Sequence, residues 1–565
     1  MKYLVKTEID IPPIGVSIDY LGSWCFKNPC VGINKNYSVF PYIWSNKFKL
    51  NQESTKLNQR RKVLFNKFVR IMNEIHNEEL PTRYWGILAQ SWFDDYIHTF
   101  YDRYQTLMEY KEEVGNFQYE ALDPEKFETP IDMYNIKNLS DNDPLFNEQL
   151  YSQILNADFN QKIKFEKDTL QRKISTKSKF SDKIILANLY CSLETTNAIK
   201  NNLNNLGEVC NYAQLEKVCE SYLLSSRRLI FETIGNESTD EFEKLFFKSL
   251  AVNTPKLIIE VFNDIRKYVL NNVLLPSLMV TANDHICNFL AQLIMAESAK
   301  AGGKLIWGQH GANYGAFYLA PTHQHEFENP DKFYCWGWAQ ENDKKKQNLP
   351  SLTISEKLKH DKMNNKNGPL LFISSAGGRY VRRLCSATTS TDYITYSKHQ
   401  CNFVKKLSKK ISETMSYRPY FTDYDQGIEE NIKRIKPNIN YIYGGNIDQL
   451  YNEFRLIIFD TPDGTAMGNL LALNKPSLVF FEKNHCHYEP LHSHVFEQLN
   501  IAGIVHYCPI QAAEFVNSIF DNPSKWWNSD EVQKARTNYT NNFANNDKDY
   551  VNIWADKILE QYNHI

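Results

Sequence analysis

The chain has 565 residues, too many for one hydrophobic core, and at least two domains are expected. Its 64 Lys and Arg stand against 66 Asp and Glu, a formal charge of -2, which provides no basic field of the kind that draws a protein to nucleic acid. Eleven cysteines are scattered, with Cys25 and Cys30 the one close pair, so the pattern excludes a disulfide framework or a paired zinc site and suits reduced thiols. The opening MKYLVKTEIDIPPIG lacks an apolar leader core, and no window reaches the roughly 18 to 20 apolar residues of a membrane span. A cytoplasmic protein is expected, with at most peripheral contact at the inner face of the membrane, since no basic amphipathic helix stands out.

In chain order, GVSIDYLGSWC at 15–25 reads as a strand running into a glycine turn. Residues 56–79 carry helical periodicity through Leu64, Phe65, Phe68, Ile71, Met72 and Ile75. A long, largely buried helical region spans 82–110, interrupted by Asp94, Asp95, Asp102 and Arg103. Residues 120–180 are polar and read as short helices and loops. At 277 the text changes: SLMVTA is a short strand, Asn283-Asp284 cap a helix through 285–301, Gly302-Gly303 end it, and KLIW starts the next strand. Such a strand-helix-strand unit makes a right-handed parallel crossover whose ligands bind beyond the strand carboxyl ends.

The lysine- and asparagine-rich stretch at 343–368 reads as a linker between domains. Beyond it, PLLFISSAGGRYVRR is strand, glycine turn and helix start, NINYIYGG is a strand, and RLIIFDTPDGTAMGNLLALNKPSLVFF is strand, turn, helix, turn and strand. Residues 525–563 read as terminal helices. The fold class expected is α/β with two Rossmann-like domains and a helical insertion in the N-terminal half. The boundaries are 1–345 with the insertion at about 50–270, then 366–525, then helices over 526–565.

Three constellations carry chemistry. In GQHGANYG, at 308–315, the glycines let the backbone turn sharply behind a strand, and His310 is placed to serve as general acid or base or to meet a phosphate. A hydrogen-bonded structural histidine explains the same residue. Gln309, Asn313 and Tyr314 beside it, and Asn283, are candidate substrate contacts, and Asp284 and Glu326 are candidate carboxylates on the same rim. Helix capping and a solvated loop are their ordinary alternatives.

In SSAGGRY, Ser374, Ser375, Gly377 and Gly378 are placed to offer hydroxyls and amides to a phosphate, with Arg379 adding charge, though the Walker spacing is missing. After RLIIF, the turn with Asp463, Gly464 and Thr465 opens a helix whose first amides suit a nucleotide phosphate. His485-Cys486-His487 with His492 and His494 resembles a metal set, but adjacent alternating residues do not converge easily on one ion. No metal and no cofactor other than the donor substrate are expected.

Read in order, YLGSWC (20–25), VFPYIW (39–44), LPTRYWGILAQSWFDDYIHTFYDRY (80–104), TAND, GQHGANYG, HEFENPDKFYCWGW, LLALNKPSLVFF and FEQLNIAGIVHYCP resemble a bacterial transferase family of surface-polysaccharide loci over nearly the whole chain. That family is similar, more remotely, to capsule Kdo transferases and other enzymes using CMP-activated nonulosonic acids, which adopt a GT-B fold. The resemblance implies a glycosyltransferase moving a nonulosonic acid of the Kdo, pseudaminic, legionaminic or sialic type from a CMP donor onto a glycan or lipid-linked glycan. The chain departs from the family at Ser45-Asn46-Lys47, at Ala312 where glycine is usual and at Asn469 where Glu is usual; the last puts a ribose-binding carboxylate there in doubt.

The C-terminal half would then hold the nucleotide sugar and the N-terminal half the acceptor. His310 would meet the leaving phosphate, while Asp284 or Glu326 would act as base, which inverts, or as nucleophile, which retains. A UDP- or GDP-hexose transferase, a nucleotide-sugar epimerase and a non-catalytic nucleotide-sugar-binding protein are the alternatives, because a two-Rossmann cleft hosts all of them.

Overall fold

The computed structural model describes every residue except 1, 34–35, 168–179, 213–214, 216–221, 312–313, 318–320, 362–364, 385–387, 389, 463–464, 484–487 and 565. Three parallel sheets organise the chain. The first joins β1 (Lys2–Val5), β2 (Ile18–Tyr20), β3 (Ser38–Val39) and β4 (Phe117–Gln118) in the order β3-β2-β1-β4. The second holds β5 (Phe180–Ala187), β6 (Gly207–Cys210), β7 (Leu275–Thr281), β8 (Lys304–Gly308), β9 (Lys332–Cys335) and β10 (Lys346–Asn348) in the order β10-β9-β8-β7-β5-β6. The third holds β11 (Leu370–Ile373), β12 (Ser416–Arg418), β13 (Asn440–Tyr441), β14 (Leu456–Phe459), β15 (Ser477–Phe480) and β16 (Val505–His506) in the order β13-β12-β11-β14-β15-β16.

Both six-stranded sheets are parallel throughout, so both of their faces need cover, and LLFI, LIIF and SLVF are accordingly buried at every position. The third sheet has the doubly wound order of dinucleotide folds, and the second shares its logic; each reverses direction once, between β5 and β7 and between β11 and β14. These reversals open the crevices in which such sheets bind ligands, and the arrangement is the expected α/β fold with two Rossmann-like, GT-B-like halves.

Four expectations differ from what forms. The opening strand belongs to a small sheet of its own. The segment read as helical insertion contributes β5 and β6, the strands that set the reversal of the second sheet. The stretch read as linker supplies β10 and a helix, Leu352–His360, whose N-cap Ser351 accepts from the Ile354 amide. The helix start read within SSAGGRYVRR does not form: Tyr380 to Leu384 are not helical, Arg382 and Arg383 reach to Asp95 and Asp141, and the next described helix is Asp392–Lys406.

A helical layer positions these sheets. Asn46 caps the helix Lys47–His76 through the amides of Phe48 and Lys49, and Asn77, with φ 51°, ends it. The helix Thr82–Val114 runs unbroken through its charges: Asp94 takes Arg61 at 3.0 Å and Asp102 takes Arg103 at 2.5 Å, so each buried charge is paired. Gly86 on this helix has no room for a side chain, since a Cβ would sit 2.2 Å from Asn329 Oδ1.

The C-terminal helix Tyr550–Tyr562 returns to the second sheet. Trp554 donates to the Pro350 carbonyl at 2.8 Å and meets the Tyr334 ring edge-on, within a core shared with Ile184, Leu186, Leu278, Val280 and Ile306. Among the described residues, no helix is long and apolar enough to cross a membrane, and the described cysteines are free.

Candidate active site

At the reversal of the second sheet, β5 ends just before Asn188 and β7 ends ahead of Asp284. Asn188 adopts φ 44° and donates from Nδ2 to Asp284 Oδ1 at 3.0 Å. Tyr190, two residues on, also has positive φ, and such conformations in non-glycine residues gather at functional sites. Thr281 Oγ1 accepts the Asp284 amide at 3.1 Å, fixing the turn, and burial pushes the Asp284 carboxyl up against the Asn188 hydrogen bond. Asn283 lies half-buried next to it.

The GQHG loop follows β8 one strand away. His310 stands with Nδ1 3.0 Å and Nε2 3.2 Å from the Tyr314 hydroxyl, and that hydroxyl donates to Glu326 Oε1 at 3.1 Å. The same oxygen accepts from His285 Nε2 at 2.8 Å. His285 is fully buried and stacks on Trp307 with ring centroids 4.3 Å apart. Burial pushes His285 down to about 3 and His310 down to about 4, the latter against the pull of Glu326. Both imidazoles are therefore neutral near pH 7, and the bond to Glu326 places the His285 proton on Nε2.

Because Tyr314 gives its own proton to Glu326, its oxygen accepts from one His310 nitrogen, leaving the other nitrogen with a lone pair. His310 is 23% exposed while Glu326 is 1%, so the histidine is the end of this chain that a ligand meets. Gly315 lets the loop fold back: its φ is +74° and a Cβ would lie 2.5 Å from the Trp338 ring.

His285, His310 and Glu326 also bring one ligand atom each within 4.8 Å of one another, which is close enough to surround a cation. A ligating imidazole normally gives its second N–H to an acceptor, whereas His285 Nδ1 is buried with no partner among the described residues. The hydrogen-bonded chain accounts for the trio better.

The third sheet builds the facing edge. The Ser375 amide donates to Asp460 Oδ1 at 3.1 Å across the reversal between β11 and β14, and Gln400 donates to both Asp460 and Ser374 Oγ. Burial pushes Asp460 up to about 7 despite hydrogen bonds from Tyr396, Gln400 and the Ser375 amide. A pocket here is lined by Tyr396, His399, Asp460, Pro462, Phe481 and Glu482, and a second one reaches from Ser374 and Ser375 toward Tyr420 and Tyr424. The two edges meet: a side chain at Gly311 would point at Thr465 Oγ1, 3.8 Å away, and the Glu489 amide donates to the Ala316 carbonyl.

The structure thus brings His310, Tyr314 and Glu326 into one cluster, with Asp284 next in sequence to their partner His285, and places Ser374, Ser375 and Thr465 on the edge across from it. Other candidates serve the framework instead. Gln309 is 3% exposed and spends its amide on the Gly311 carbonyl, the Trp336 amide and the Trp338 indole. Gly377 and Gly378 allow close contact with Tyr393 and Asp141, and Arg379 pairs with Glu8 at 2.7 Å, so this part of SSAGGR joins the third sheet to the N-terminal layers. Asn313, Asp463 and Gly464 lie outside the described residues, as do His485, Cys486 and His487; His492 packs edge-on against Phe543. Asn188, Tyr190, His285 and Trp307 are site residues that the sequence reading passed over. Strand β5 carried the available signal, a short β-branched run ending in Asn-Leu-Tyr.

Against known sequences, the family described as LIC12162 family transferase matches residues 5–558. The chain belongs to this family. A LIC12162 family chain is a transferase, and GQHG, Asp284 and the Ser375–Asp460 edge all fall inside the matched span. No curated protein matches the sequence at a significant level. Among solved structures, the chain is similar to the S. aureus MnaA–UDP co-structure (9% identity, covering 68% of this chain and 97% of that one, TM-score 0.37). It is also similar to UDP-GlcNAc 2-epimerase from Neisseria meningitidis bound to UDP-GlcNAc (13%, 68% and 100%, TM-score 0.36) and to Acinetobacter baumannii MurG (11%, 67% and 99%, TM-score 0.34). At such scores the strand orders of the LIC12162 family chain decide its fold class, rather than these likenesses.

Proposed function

We propose that this transferase is a glycosyltransferase that takes a sugar from a nucleotide donor at the Ser375–Asp460 edge and passes it to an acceptor hydroxyl at Asp284. One observation supports the reading: two sheet reversals, each marked by a buried aspartate, lie on edges that approach each other at Gly311 and Thr465, next to His310. Asp284, its carboxyl raised by burial, is suited to take the acceptor proton as the acceptor oxygen bonds to the anomeric carbon and the sugar–phosphate bond breaks. His310 meets the leaving phosphate. Glu326 acts as a positioning residue, since Tyr314 and His285 already occupy its Oε1.

The donor is read as a CMP-linked nonulosonic acid and the acceptor as a surface glycan, lipid-linked or free; the ordered resemblance of the sequence supports this. Thermal-shift measurements on wild type and His310→Ala with CMP, UDP, GDP and their sugar conjugates test it, because a ligand of the native state raises apparent stability. Stabilisation by CMP and its conjugates alone is expected. A shift with UDP or GDP but not CMP replaces the donor by a hexose nucleotide, and conversion of a donor without acceptor makes the enzyme an epimerase.

A further inference from the structure

Most buried charges in this protein are matched. Lys6, fully buried, is held by Asp10 and Glu148, each at 3.0 Å. Lys137 is the contrast. It lies on the helix Met133–Asn142, one turn before Asp141 and on the same face. Asp141 is taken by Arg382 Nε at 3.0 Å, and Asp95, on the neighbouring long helix, is taken by both Arg382 and Arg383, the latter from Nε at 2.8 Å. The two arginines thus occupy both carboxylates. Lys137 has no hydrogen bond or ion pair among the described residues, and Arg383 keeps Nη1 free of Asp95.

The surroundings make this costly. Lys137 is partly buried, and Arg382 and Arg383 repel its ammonium against the weaker pull of Cys287 and Asp95. Three cations against two carboxylates leave one uncompensated positive charge. The short helix Asp284–Cys287, which carries His285, packs on the long helix that bears Asp95, so the group taken by Arg383 lies behind the reacting edge, and Lys137 and Arg383 act electrostatically on His310. A fold that leaves an ammonium unpaired next to two arginines, while pairing other buried lysines, has an anion to receive there.

We propose that Lys137 and Arg383 form an oxyanion subsite that holds a carboxylate or phosphate of the substrate reacting at His310. The proposal rests on the transferase reading above and adds to it: one reactant carries an anionic group besides the bond being broken. Lys137 supplies a point charge, and the free Nη1 of Arg383 supplies a directed donor. A carboxylate on the transferred sugar and a phosphate of donor or acceptor share this chemistry.

The test is acetylation of Lys137 by acetic anhydride at pH 8, followed by peptide mass spectrometry, on the full chain. The additions compared are N-acetylneuraminate, inorganic phosphate, pyrophosphate and chloride, all at one ionic strength. Only unoccupied protein reacts, so an oxyanion at about three times its Kd slows labelling about fourfold. Protection by N-acetylneuraminate assigns the subsite to a sugar carboxylate, and protection by phosphate or pyrophosphate assigns it to a phosphate. Arg383→Gln, checked for cooperative melting, is expected to abolish the protection.

No slowing beyond chloride, or equal protection in a folded Arg383→Gln protein, overturns the subsite. Nucleotide thermal shifts on the same preparation separate the two readings. Nucleotide binding without protection of Lys137 removes the subsite and leaves the transferase reading. Protection without any nucleotide binding does the reverse.

Discussion

Asn188 donates to Asp284 at 3.0 Å across the point where the order of the second sheet reverses, joining residues 96 apart in sequence. This bond holds one carboxylate oxygen and leaves the other for a ligand. A general base loses its function when it becomes an amide of the same shape, and such bases contribute about 100- to 10,000-fold. Asp284→Asn should therefore lower kcat by that order in a nucleotide-release assay while nucleotide affinity stays within about twofold. A variant with full turnover would remove Asp284 from the chemistry.

Tyr314 stands between His310 and Glu326, and Tyr314→Phe removes the hydroxyl while keeping the ring. Glu326 Oε1 then keeps the bond from His285, and His310 loses its hydrogen bond to the Tyr314 hydroxyl. A hydrogen bond to a charged group is worth about 1.5–3 kcal/mol, which corresponds to a loss of about 10- to 100-fold in kcat where the bond is needed in the transition state. Nucleotide affinity is expected to hold, and comparison of kcat with nucleotide Kd reads the difference. Equal losses in both would make Tyr314 a general support of the fold.

The halves of this site differed in how far the sequence exposed them. His310 and Asp284 were visible because each follows an apolar run, KLIW and SLMVTA, whose residues are buried on both faces and so read as parallel strands. The third sheet was legible for the same reason through LLFI and LIIF. What local text could not carry is pairing at long range. His285 reads as the interior of a helix until Glu326, 41 residues on, is brought to it, and the helix in fact breaks at Asn288, which caps a second one. Arg379 reads as a phosphate ligand next to two glycines, but its partner Glu8 comes from the first strand's loop, and no spacing announces an ion pair across the whole chain. The stretch 343–368 is polar enough to look like a linker, yet three residues of it suffice for an edge strand, where one side needs no cover.

Asp460 links stability to pH at the donor edge. Its folded value of about 7 lies above the ordinary 3.8, so the native state holds the proton more tightly than the unfolded chain. The associated stability is fully present below the ordinary value and is lost as pH rises through about 7. Asp460→Asn removes this dependence, so the variant should gain on wild type between about pH 5 and pH 8, by about 3 kcal/mol at most. Urea unfolding at the two pH values measures it, and the histidine contributions cancel in the difference. A stability difference that does not change with pH would mean that Asp460 is already ionised at the lower one. A bound nucleotide phosphate should disfavour ionised Asp460, so nucleotide affinity is also expected to fall across this range in wild type and not in the variant.

The last helix makes a prediction that separates fold from chemistry. Trp554 is 3% exposed, donates to the Pro350 carbonyl and packs its ring 3.3 Å from where a Cβ on Gly308 would stand, directly behind the GQHG loop. Trp554→Ala leaves a cavity under that loop and an unpaired carbonyl, at a cost of about 3–5 kcal/mol. Trp554→Phe keeps most of the packing and loses only the hydrogen bond, about 1 kcal/mol. If the helix Tyr550–Tyr562 also sets the height of the loop, Trp554→Ala should lower kcat at temperatures where it remains folded, whereas Trp554→Phe should not. Unfolding curves and turnover at the same temperature distinguish the two. Loss of stability with unchanged turnover would limit the helix to holding the sheet, and His310 would then be positioned from Tyr314 and Gln309 alone.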